Sequence, residues 1–63
     1  MKETLEQQTQ DSDMIFKAIS SGAFYSYKEA EMAIAILYIP DMSISRSGIS
    51  HALKRLEKHY ASQ

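Results

Sequence analysis

The 63-residue sequence has no cysteine and no tryptophan, and it has only two glycines and one proline. The absence of cysteine excludes disulfide bonds and thiolate zinc sites, which often stabilise very small domains. A chain of this length buries only about 60% of the surface that its unfolded form exposes, so its own core is marginal. Among the usual stabilising devices of small scaffolds, we therefore expect oligomerisation.

Long hydrophobic segments are also missing. The longest apolar run, residues 33–40, is far shorter than the roughly 20 residues that a membrane-spanning helix needs. The first ten residues are polar and lack the apolar segment of a signal peptide. These features predict a cytoplasmic protein without membrane contact.

The sequence contains no recognisable catalytic or metal-binding pattern. Its glycines, Gly22 and Gly48, are isolated and do not form a phosphate-binding loop. His51 and His59 lie about two helical turns apart, a separation of about 12 Å that is too long for shared metal ligation. No serine has a base and an orienting acid at a suitable spacing. We predict no enzyme activity, no metal, no cofactor and no small-molecule substrate.

Apolar spacing and capping residues predict an all-α protein of three short helices. The residues before the first apolar periodicity have the polar composition of a disordered tail, which we place at 1–10, with a single helical domain over 11–63. The helices are predicted over residues 13–21, 27–39 and 47–60.

The ends of the first two helices carry the clearest signals. Asp11 or Ser12 is a suitable N-cap for the first helix, and Gly22 is suited to end it in a left-handed conformation. Ser26 and Glu29 fit a capping box, in which each side chain accepts a backbone N–H of the other residue. Pro40 ends the second helix, because proline has no N–H and disfavours helical backbone at the preceding residue.

The second helix is apolar on nearly all sides, and a helix of this kind is buried on all sides. One face is expected to cover the core of the chain. The other face is predicted to form the interface of a homodimer; it carries Met32, Ile36 and Ile39. The alternative is a compact monomer that covers both faces by itself.

The third helix, which Ser45 or Ser47 caps, combines an apolar stripe with a basic side. Residues on one side recur at helical spacing; they are Ile49, Ala52, Leu53, Leu56 and Tyr60. We predict that the other side binds DNA or an acidic partner, through Arg46, Ser47, Ser50, Lys54, Arg55 and Lys58. Replacement of Lys54 or Arg55 by alanine is expected to leave folding intact, since both lie off the stripe.

Charge is distributed unevenly along the chain. Residues 1–45 carry three lysines and seven carboxylates, a net charge of −4, whereas residues 46–63 carry four cations and one glutamate, a net charge of +3. Such asymmetry favours contact with nucleic acid or an acidic partner. The alternative is an ordinary solvated face whose cations complement the C-terminal dipole of the helix.

The residues between Tyr25 and Lys58 resemble a known family. The pattern is Glu29-x5-Ala35-Ile36-x2-Ile39, a short loop, and then Ile44-Ser45-Arg46-x2-Ile49-x3-Leu53-x2-Leu56-Glu57. It resembles the YmgB/AriR family of small enterobacterial regulators of biofilm formation and acid resistance. The resemblance implies an all-α protein that dimerises and acts on gene expression or signalling without enzyme activity.

The third helix also looks like the recognition helix of helix-turn-helix and winged-helix proteins. In those folds the serine-rich start of the helix meets the DNA groove and the leucines pack inward. The sequence therefore predicts a dimeric, non-enzymatic regulator whose third helix binds DNA. The rival interpretation is an adaptor that binds a transcription factor or signalling protein through the apolar surface of the second helix, without DNA contact.

Overall fold

The computed structural model describes residues 4–22 and 24–62, which form three α-helices and contain no strand. Helix α1 spans Leu5–Ser20, α2 spans Tyr27–Leu37 and α3 spans Arg46–Ala61. The predicted all-α fold of three helices is confirmed. Helix α3 begins at the first of its two candidate caps, because the Ser45 hydroxyl accepts the N–H of Gly48 at 3.0 Å.

Helix α1 begins at Leu5 rather than at residue 13, so residues 5–10 are helical and not a disordered tail. The Thr4 hydroxyl caps this start by accepting the N–H of Gln7 at 3.0 Å. Apolar periodicity does not extend into this part of the chain, which is why the sequence pattern did not indicate a helix there. The remainder of the predicted tail, residues 1–3, lies outside the described residues.

Three details of the predicted helix ends are wrong. Asp11 and Ser12, the expected N-caps of the first helix, lie inside α1. Gly22 is not left-handed, since no residue in the described ranges has a positive φ; Ser21 ends α1 in right-handed conformation instead. In the capping box of α2, the Ser26 hydroxyl accepts the N–H of Glu29 as predicted, at 3.3 Å. The Glu29 carboxylate, however, accepts the N–H of Tyr25 at 2.7 Å, one residue before the predicted donor.

Helix α2 ends two residues before the predicted position, at Leu37, with Tyr38 as its cap. The N–H groups of Tyr38 and Ile39 both donate to the Ile34 carbonyl, at 2.8 and 3.1 Å, so this carbonyl accepts the last α-helical bond and a wider bond from the residue after it. Pro40 follows directly and disfavours helical backbone at Ile39. Ile39 therefore lies in the turn after the helix.

Helices α1 and α3 run parallel and make most of the interhelical contacts. Asp11 contacts the start of α3, whereas Phe16, further along α1, contacts His59 near its end. Helix α2 connects the end of α1 to the start of α3. Its first residue, Tyr27, lies near Glu57 of α3. The pKa of the Tyr27 hydroxyl is raised by burial, and further by the negative charges of Glu31 and Glu57.

The core lies between the three helices and is almost entirely aliphatic. Its buried side chains are Ile15, Ile19, Ala30, Ile34, Ile49, Ala52 and Leu56. Half-buried Leu53 and Tyr60 pack against this cluster, so the predicted apolar stripe of α3 is confirmed. On α1, by contrast, Met14 and Ala18 are exposed although they lie in the apolar segment.

Gly48 lies at a close contact between α1 and α3. A Cβ atom at this position would be 2.6 Å from Asp11 Cβ, 2.7 Å from Ser45 Oγ and 3.2 Å from the Gln8 carbonyl oxygen. At the same point the Asp11 carboxylate accepts the N–H of Ser45 at 2.8 Å. A carboxylate from α1 thus lies at the N-terminus of α3, where it also complements the helix dipole.

Arg55 forms a second connection between α1 and α3. Its guanidinium donates to the Asp13 carboxylate at 2.5 Å and to the Ser12 hydroxyl at 3.4 Å. The same group lies 4.4 Å from the centre of the Phe16 ring, in cation–π geometry. Three consecutive residues of α1, Asp11, Ser12 and Asp13, therefore contact α3 or its N-cap through polar side chains that the apolar pattern does not mark.

We predict that Gly48→Ala destabilises the fold, although alanine has the higher helix propensity by about 1 kcal/mol. The added methyl group would displace Asp11 and the Ser45 cap, and a lost N-cap alone costs about 0.5–2 kcal/mol. Chemical denaturation should show a lower midpoint for Gly48→Ala. Ser50→Ala, an exposed position in the same helix, is the control and should not lower it. An unchanged or raised midpoint for Gly48→Ala would contradict the close approach.

The expectation that Arg55→Ala leaves folding intact is revised by these contacts. We now predict a loss of roughly 1 kcal/mol, since exposed ion pairs and cation–π contacts each contribute about 0.5–1 kcal/mol. Lys54→Ala, which removes an exposed lysine one residue away, should cost much less. Equal denaturation midpoints for the two variants would show that the Arg55 contacts do not stabilise the fold.

Candidate binding surfaces

The first candidate surface is the solvent-exposed side of α3. At about 100° per residue, Ser47, Ser50, Lys54 and Lys58 lie within about 80° of one another around the helix. Ser50 and both lysines are exposed, Ser47 is half-buried, and Arg46 is exposed at the edge of this group. We call these five residues the basic surface of α3.

Arg55 is the predicted binding residue that the structure separates from the others. It lies on the flank of α3 that faces α1, and its guanidinium contacts Asp13, Ser12 and Phe16. The Asp13 carboxylate also neutralises its charge. Arg55 is therefore assigned to the packing of α1 against α3 and not to the basic surface.

The second candidate surface is the side of α2 that faces away from the core. Met32 is 58% exposed, Ile36 71% and Ile39 48%, and we call these three residues the α2 apolar surface. Leu37, the last residue of α2, is also exposed. The alternative of a compact monomer that covers both faces of α2 is therefore wrong. Within one chain the predicted interface residues remain in solvent.

An apolar groove adjoins both surfaces. It lies between the turn after α2 and the first half of α3, and it has a volume of about 370 Å³. Aliphatic side chains and one thioether form its walls: Ile39, Met42, Ile44, Ile49 and Leu53. Asp41, Arg46 and Ser50 complete the lining, so the groove shares Ile39 with the α2 apolar surface and two residues with the basic surface.

Hydrogen bonds hold the turn that bears Met42. The Asp41 carboxylate accepts the Ser43 N–H at 2.9 Å and the Ser43 hydroxyl at 2.6 Å. These two donors lower the pKa of the Asp41 carboxyl below its ordinary value. The Ser43 carbonyl in turn accepts Gln7 Nε2 of α1 at 3.5 Å. Met42, at the centre of this turn, is 99% exposed.

Sequence reasoning identified the α2 apolar surface and the basic surface but missed the groove. The groove brings together the end of one helix, a loop and the start of another, so no local periodicity marks it. The exposure of Met42 has no sequence signal either. Among the residues that the structure describes, no three histidine or acidic side chains cluster as a metal site would require, and no helix is long and apolar enough to cross a membrane.

In comparisons with known proteins, no family model, no curated protein and no solved structure matches this chain.

Proposed function

We propose that this chain is a small, non-enzymatic cytoplasmic regulator of gene expression or signalling, which forms a homodimer and binds DNA through the basic surface of α3. The observation that carries the proposal is an exposed aliphatic face, with Ile36 at its centre, on a helix of a protein with a marginal core. Contiguous exposed apolar surface on a small protein marks an interaction site. The resemblance to the YmgB/AriR family implies the same kind of role, in biofilm formation and acid resistance.

The basic surface supports DNA as the ligand of such a dimer. Lys54 and Lys58 are one turn apart on exposed helix surface, with the hydroxyls of Ser47 and Ser50 toward the helix start. Lysines contact phosphates without regard to sequence, whereas short hydroxyls and an arginine can reach base edges in the major groove. Asp13 of α1 lies on the flank of α3 that faces α1, where it binds Arg55.

The adaptor without DNA contact is the second candidate function. The apolar groove favours it, since about 370 Å³ of mostly aliphatic lining is suited to a hydrophobic anchor from a partner protein. The net charge of −4 over residues 1–45 also opposes DNA binding through long-range repulsion. A pull-down from lysate distinguishes the two functions, because nuclease treatment removes a DNA ligand but leaves a protein partner bound.

The dimer is tested by Ile36→Asp. An aspartate in a desolvated contact is left unpaired, which typically costs several kcal/mol and dissociates a small dimer. Because Ile36 is exposed within one chain, the variant should fold as a monomer, with helical circular dichroism retained. Gln10→Asp, at an exposed position of α1, adds the same charge away from this surface and should remain dimeric. A wild-type monomer at high micromolar concentration in sedimentation equilibrium would refute the dimer.

DNA binding is tested by its dependence on salt. With three cations per chain, Arg46, Lys54 and Lys58, a dimer would contact about six phosphates, and log K should fall with log salt at a slope of about −5. Lys54→Ala combined with Lys58→Ala should flatten this slope by about 3–4. Lys28→Ala removes a lysine from α2 and should leave the slope unchanged. No binding to duplex DNA at low salt, together with capture of a nuclease-resistant protein partner, would favour the adaptor.

A further inference from the structure

The groove and the residue at its edge have complementary shapes. Met42 lines the groove and yet is 99% exposed, so its side chain projects from the surface. The walls beside it are formed by apolar side chains, including Ile44 and Leu53. A patch that holds both a projecting apolar side chain and an apolar groove can pair with a copy of itself about a two-fold axis, as symmetric dimers require.

The turn that carries Met42 is well suited to present it. The Asp41 carboxylate accepts both the N–H and the hydroxyl of Ser43, and the Ser43 carbonyl accepts Gln7 of α1. These bonds fix the backbone on both sides of Met42 before any partner binds. Presentation on a fixed turn lowers the entropy lost on association.

The exposed apolar area is more than half of what such a dimer needs. Burial of one Ile, Leu or Met side chain removes roughly 100 Å² of apolar surface. The exposed fractions of Met32, Ile36, Ile39 and Met42 therefore correspond to roughly 280 Å² per chain. A standard interface of about 800 Å² per partner, about 60% of it apolar, requires roughly 500 Å². These four side chains thus supply more than half of that apolar area.

We propose that a second copy of this chain occupies the groove, with Met42 of each chain inserted between Ile44 and Leu53 of the other. This inference rests on the dimer of the proposed function and specifies its interface. The groove shares Arg46 and Ser50 with the basic surface of α3. The exchange of Met42 therefore brings the starts of the two α3 helices together and joins the two basic surfaces into one.

Met42→Asp tests the interface. It should weaken dimerisation about 100-fold or more in a sedimentation concentration series, since the carboxylate would enter an apolar groove. Met42→Leu should remain dimeric, as should Gln10→Glu, which adds one negative charge at an exposed position of α1. Because Met42 is exposed in the single chain, helical circular dichroism and the denaturation midpoint of the dissociated variant serve to show that it is folded. A Met42→Asp protein that dimerises like wild type would overturn the inference.

A disulfide experiment tests the geometry directly, because the natural chain has no cysteine. Met42→Cys and Leu53→Cys are made in separate chains, which are mixed and oxidised. The mixture should form at least tenfold more covalent dimer than either variant forms alone. If Ile36→Asp dissociates the dimer but Met42→Asp does not, and mixing gives no cross-link, the inference fails while the proposed dimer stands. If the wild type is monomeric throughout, both fail.

Discussion

The contact between Asp11 and the start of α3 is the constraint on which the rest of the structure depends. The carboxylate accepts the Ser45 N–H at 2.8 Å, directly beside Gly48, whose missing side chain lets α1 approach. This contact fixes where α3 begins relative to α1, and with it the parallel direction of the two helices. From that register follow the burial of Ile15 and Leu56 and the position of Arg55 over Phe16.

The same register leaves α2 with only one of its apolar faces covered. Helices α1 and α3 pack mainly against each other, and α2 contributes Ala30 and Ile34 to their shared core. Among the described residues, no further helix covers the remaining side of this 11-residue helix. The exposed aliphatic surface is thus a consequence of how the three described helices pack.

Some charged side chains of α1 and α3 make contacts within the fold, whereas others lie on exposed surface. Arg55 and Asp13 face each other between α1 and α3, and Asp11 is held at the N-terminus of α3. Lys54 and Lys58 remain on exposed helix surface. The formal excess of positive charge at residues 46–63 therefore overstates the charge that is available to a ligand, since the charge of Arg55 is paired with Asp13 within the fold. The proposed dimer would increase the positive charge available to a ligand, because each of its two chains would contribute a basic surface.

The amino-acid sequence by itself determined the helical class, the apolar stripe of α3, the cap at Ser26 and the two-sided apolar character of α2. These properties are local, because they follow from helical periodicity and from hydrogen bonds between residues three apart. Only the tertiary structure decided that α1 starts at Leu5, that Arg55 binds Asp13, and that a groove lies beside Met42. Each of these depends on residues more than ten positions apart or on polar helix turns without a periodic pattern. Such features arise where separate elements of the chain pack together, which no short stretch of the sequence records.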